Sequence, residues 1–110
     1  MTSMEAVDCQ SLARGSHIDV ETQSRHYHID CLGGNEIRIS GHPEYCPEPV
    51  PAKLEGAVGK GGVLEFGMIL CGMRLLFLVG GCLPVTTSKV VHVHVDPPSA
   101  VSPISSSSVN

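Results

Sequence analysis

Two short stretches of this chain repeat one pattern. His26-Tyr27-His28-Ile29-Asp30 and His92-Val93-His94-Val95-Asp96 are both His-x-His-x-Asp. On an extended chain, residues two apart point to the same side. Each copy therefore offers two imidazoles and a carboxylate on one face. These groups ligate Zn²⁺ and other transition metals at about 2.0–2.2 Å. If the two strands are neighbours, His26, His28, His92 and His94 form a metal-ligating patch. His42 joins it if a hairpin carries it opposite His26. If the strands never meet, the same residues are the polar outer faces of two strands, which ask for nothing more than polarity.

The remaining chemistry-bearing residues form weaker patterns. Gly56-Ala57-Val58-Gly59-Lys60-Gly61-Gly62 has backbone amides and a lysine that could cradle an anion. It departs from the phosphate-binding loop, because Gly61 stands where Ser or Thr belongs and a strand rather than a helix follows. It reads as a flexible connection. Five cysteines, Cys9, Cys31, Cys46, Cys71 and Cys82, show no Cys-x-x-Cys spacing. Their odd number and the absence of a secretory pattern at the N-terminus lead to the expectation of reduced thiols in a cytoplasmic protein. No nucleophile stands beside a base and an orienting group, so no catalytic residue and no organic cofactor is expected.

The elements that must position these residues are strands. Runs with period-two alternation, punctuated by Gly, Pro and Asn, cover 17–21, 25–32, 36–41, 52–58, 63–70, 73–79 and 86–96. No apolar pattern of helical period persists. Strands 25–32 and 36–41 form a hairpin whose register follows from matching their apolar faces. A three-residue loop, Gly33-Gly34-Asn35, sets Cys31 opposite Ile37, Ile29 opposite Ile39 and Asp30 opposite Arg38. In 63–79 the same reasoning gives a two-residue turn at Cys71-Gly72, with Leu70 opposite Met73 and Phe66 opposite Phe77. Leu64, Phe66, Met68, Met73, Leu75 and Phe77 then fill the core. The reverse face carries Ile69, Leu76 and Leu78 and needs a cover. Prolines between residues 42 and 51 make a stiff connector.

A chain of 110 residues holds one domain, and 42% hydrophobic with 16% charged residues is a globular composition. The net charge is −4 with scattered basic residues, which argues against nucleic acid and against a polybasic membrane-surface mode. The apolar run 63–79 is shorter than the ~20 residues of a spanning helix and contains Glu65 and Arg74. Residues 1–16 read as a loose leader, 17–96 as the β domain, and 97–110 as a disordered Pro/Ser-rich tail.

Several elements, in order, carry a likeness: Val20-Glu21-Thr22-Gln23-Ser24-Arg25-His26-Tyr27, Leu54-Glu55-Gly56, Gly61-Gly62, Gly72-Met73-Arg74-Leu75 and Thr86-Thr87-Ser88-Lys89-Val90. Over residues 18–95 the chain resembles a loose group of small, uncharacterised bacterial proteins with a single β-rich domain. The resemblance implies a bacterial cytoplasmic β domain and brings no activity or catalytic residue. The stretch 76–83 departs from it.

The expected fold is all-β, a small barrel or two-layer sandwich of six to seven mostly antiparallel strands in meander-like order. The expected function is a non-enzymatic binding or assembly module; the open face of the 63–79 hairpin is covered either by strands of the same chain or by association, with a second copy or a protein partner. The alternative is a metal-binding protein, or a metal-dependent activity, on the histidine face.

Overall fold

Without Trp and with only two Phe and two Tyr, the interior is built from aliphatic side chains. A computed structural model describes residues 3–98 of the protein, and within them every regular element is a strand or one of two short 3-10 turns. The strands are β1 (Ser3–Met4), β2 (Ala6–Asp8), β3 (His17–Thr22), β4 (His26–Gly33), β5 (Glu36–Ser40), β6 (Val50–Val58), β7 (Leu64–Phe66), β8 (Met68–Leu70), β9 (Arg74–Val79) and β10 (Leu83–Asp96). All pairings are antiparallel. The all-β, meander-like expectation holds.

The pairing closes on itself. β3, β4, β5 and β6 follow one another as neighbours, β6 pairs with β9, β9 with β10, and β10 with β3. In this ring β10 meets its two neighbours over successive stretches. Its residues 83–89 lie along β9 and its residues 90–96 along β3, with register shifts at Thr86/Lys89 and Val90/His92. Bulges of this kind let a strand bend from one set of neighbours to another. Buried Thr87 satisfies the broken ladder, since its Oγ1 accepts from the Leu75 amide at 3.0 Å and donates to the Ser88 carbonyl at 2.6 Å.

The alternating residues of each strand point into this ring. Ile18, Val20, Tyr27, Ile29, Ile37, Ile39, Leu54, Leu75, Phe77 and Val93 are all buried. β4 and β9 lie on opposite sides of the ring, and Tyr27 meets Phe77 across it edge-to-face, with centroids 5.9 Å apart. The β4–β5 register is the expected one: Cys31 faces Ile37, Ile29 faces Ile39 and Asp30 faces Arg38. Its loop is shorter than expected. Gly33 pairs with Glu36 after a bulge, leaving a Gly34-Asn35 turn.

The expected 63–79 hairpin is not formed. Gly67 has φ +73, a left-handed conformation that ends the run after Phe66. β7 pairs with β6, β8 pairs with β2, and β9 joins the ring between β6 and β10. Leu75 and Phe77 are buried as expected, whereas Leu64 and Phe66 are exposed and Ile69, assigned to the outer row, is fully buried. The leader is also corrected over residues 6–16. β2 pairs with β8, and Val7 and Cys9 enter the common core. Alternation over three residues is too short a signal to reveal such a strand. From residue 99 on, the expected tail lies outside the described residues.

Ile39→Asp is expected to cost more than about 3 kcal/mol, because it places an unpaired carboxylate in the closed core. Arg38→Ala, on the outer face of the same strand, should cost less than about 1 kcal/mol. Urea unfolding of both variants checks this, and similar losses would mean that the faces of β5 are reversed.

Candidate metal centre

The turn after β3 sets the site. Thr22 is buried, and its Oγ1 accepts from the Arg25 amide at 3.0 Å and donates to the Arg25 carbonyl at 3.0 Å. This clamp fixes the β3–β4 register, with Glu21 opposite His26, Asp19 opposite His28 and His17 opposite Asp30. On the other side of β3, the β10 register sets His92 against Glu21, His94 against Asp19 and Asp96 against His17. The two His-x-His-x-Asp strands are therefore not neighbours. β3 lies between them, and all three send their apolar residues inward.

The outer face that results is an array of rungs. Across β10, β3 and β4 they read His92–Glu21–His26, His94–Asp19–His28 and Asp96–His17–Asp30. Imidazole and carboxylate alternate along every rung. The middle strand's own pattern, His17-x-Asp19-x-Glu21, was not singled out among the candidate ligands. The signal was present in the same period-two spacing, one element upstream and antiparallel.

The donors on the β3–β4 side are close. Ligand atoms of Asp19, His26 and His28 all lie within 4.8 Å of one another. His28 Nδ1 donates to Asp19 Oδ1 at 2.6 Å. The His26 and His28 rings stack, with centroids 5.1 Å apart and planes 18° from parallel. An ion held by both groups takes the place of the proton between His28 Nδ1 and Asp19.

The other candidates are placed differently. His94 Nε2 bonds to Asp96 Oδ1 at 3.0 Å, along its own strand. His92 stands on the Glu21 rung. Neither belongs to the Asp19–His26–His28 cluster. His42 does not join. β5 ends at Ser40, and Gly41 turns the chain so that its amide donates to the Cys46 carbonyl at 2.9 Å. His42 Nδ1 then accepts from the amides of Glu44 and Tyr45 at 3.1 and 3.3 Å, and its ring packs on Tyr45. Asp30 pairs with His17 Nδ1 across the β3–β4 ladder, instead of serving Arg38.

No protein family, curated protein or solved structure matches this chain. The chemistry of the site thus rests on its own atoms. Two imidazoles and one carboxylate form a donor set for Zn²⁺, Cu²⁺, Ni²⁺ or Fe²⁺, with further positions open to water. Asp19 is half-buried while His26 and His28 are exposed, so small rotations of solvated rings can bring the donors into the ~2 Å coordination range.

The thiols are separate from this face. Cys9, Cys31 and Cys46 are buried, and no disulfide joins any of the five cysteines. A hydrogen bond with Cys31, then burial, pushes the Cys9 thiol well up, and the same bond lowers Cys31. Burial likewise raises Cys46. No helix among the described residues is long and apolar enough to cross a membrane.

Gly41 holds the edge of the site. It has φ +130, and a Cβ there would lie 2.3 Å from the His26 carbonyl oxygen. Gly41→Ala should destabilise the fold by about 2–3 kcal/mol, since backbone must move on both sides. Thermal unfolding checks this, and a loss under about 0.5 kcal/mol would show that the close approach is not required.

Proposed function

We propose that this protein is a metal-binding module that takes one divalent transition-metal ion on the outer face of β3 and β4, with Asp19, His26 and His28 as ligands. The observation that carries this reading is the convergence of those three donors within 4.8 Å. The rungs around it add weight. Exposed His–carboxylate pairs contribute little to stability, at most about 1 kcal/mol each. An array that places them on three successive strands is more than the outer face of a sheet needs. Imidazole favours Zn²⁺, Cu²⁺ and Ni²⁺ over Mg²⁺ and Ca²⁺. Five cysteines without a disulfide fit a reducing, cytoplasmic setting.

Calorimetric titration of the purified chain with Zn²⁺ and Ni²⁺ should give saturable uptake of one ion per chain. His28→Ala and Asp19→Asn should each weaken binding by about 10–100-fold or more, with the circular dichroism spectrum unchanged. His94→Ala should change it little. Uptake that is insensitive to both β3–β4 variants would overturn the assignment.

A second reading, self-association, is favoured by β7. Val63, Leu64 and Phe66 are 57%, 41% and 54% exposed. Apolar residues grouped in this way mark contact surfaces. This replaces the hairpin face as the basis for a homodimer. Sedimentation at micromolar concentration should show a dimer that Phe66→Asp converts to a folded monomer. A wild-type monomer would exclude this mode.

A further inference from the structure

The first half of β10 takes part in a different cluster. Val58, Arg74 and Lys89 form one rung across β6, β9 and β10, so that Arg74 and Lys89 stand directly opposite each other. Lys60 follows just beyond β6, in the 3-10 turn Lys60–Gly62. These three cations, with Val58, Gly59 and Gly72, line a cleft of about 390 Å³. No acidic residue lines it.

Such an arrangement works against folding. Like charges directly across a ladder are destabilising. The chain has seven basic residues against eleven acidic ones, so carboxylates to neutralise the cleft are plentiful. Yet none of Lys60, Arg74 and Lys89 makes an ion pair among the described residues. Among the described residues the Arg74 guanidinium donates to the Thr87 carbonyl, at 3.4 Å. By contrast Lys53, on the neighbouring face, lies 3.8 Å from Glu36.

The walls are open to a ligand. Gly72 has φ +89, and a Cβ there would meet nothing within 4 Å. Gly59 packs tightly behind, where a Cβ would lie 2.5 Å from Met73 Cε. Bare backbone of this kind lets an anion approach closely. An arginine fork flanked by lysine point charges is suited to phosphate oxygens.

We propose that this cleft binds a small phosphate-bearing anion, a phosphate monoester or a pyrophosphate group, held by Arg74 between Lys60 and Lys89. The anion neutralises the cross-strand repulsion that the ring otherwise carries. The site is independent of the metal reading, since it uses β6, β9 and the first half of β10 and none of the metal ligands Asp19, His26 and His28.

The test is titration of the metal-free full chain with inorganic pyrophosphate, followed by calorimetry and by the thermal midpoint. Saturable binding that raises the midpoint and weakens as salt is added is expected. Lys89→Gln and Lys60→Gln should each weaken it by about tenfold or more. Lys89→Gln should also raise the midpoint of the unliganded protein, because it removes one of two opposed charges. Asp19→Asn should leave pyrophosphate binding unchanged. Absence of binding at millimolar pyrophosphate, or equal binding by wild type and both lysine variants, would overturn the proposal. If Lys89→Gln fails to fold, Lys60→Gln, in an exposed turn, decides it alone.

Discussion

Closure of the strand ring depends on β10 changing partners. Its fourteen residues serve β9 first and β3 second, and the shift falls between Thr86 and His92. Without that bend the sheet would have two open edges and a half-covered core. The bend is costly to the ladder, and local hydrogen bonds offset the cost. Thr87 Oγ1 replaces a backbone acceptor for Leu75, the Gln23 amide donates to the Lys89 carbonyl at 3.0 Å, and Ser88 Oγ accepts from the Ser24 amide at 3.1 Å. The β3–β4 turn and the β10 bulge therefore brace each other.

Both outward-facing clusters follow from this strand. Its second half presents His92, His94 and Asp96 beside the carboxylates of β3, and its first half presents Lys89 to Arg74. The acidic-imidazole face and the cationic cleft thus occupy two stretches of one strand, separated by the bulges. Each cluster is attached to ladder positions whose neighbouring residues are buried, such as Val20, Val93 and Leu75. Groups held on such elements are positioned more closely than groups on loops. The two clusters are opposite in charge, so one anionic and one cationic ligand could be held without competition.

The β4–β5 register was legible because both faces were unambiguous: Ile29, Cys31, Ile37 and Ile39 on one, His28, Asp30 and Arg38 on the other. A slip of one residue would have put every one of these on the wrong side. The 63–79 run was misread for the opposite reason. It is apolar on both faces, so alternation could not show that Gly67 ends a strand, and a single left-handed residue sent β7 and β8 to different partners. His42 was misplaced by extending the β5 register through Gly41, whose close packing on His26 marks the end of pairing.

Local pattern was enough to determine the strand class, the inward faces of β4, β5 and the last part of β10, and the fact that His26 and His28 share a side with a carboxylate. These depend only on the two-residue period of an extended chain. Which strands adjoin depends on contacts distant in sequence, and only the tertiary structure decided it. The placement of β3 between the two His-x-His-x-Asp strands follows from the pairing of β10 with β3, while the recruitment of Asp19 to His28 and the opposition of Arg74 to Lys89 follow from the registers of the β3–β4 and β9–β10 hairpins. Closure is set by the summed burial of the whole core and by bulges whose positions no local period reveals.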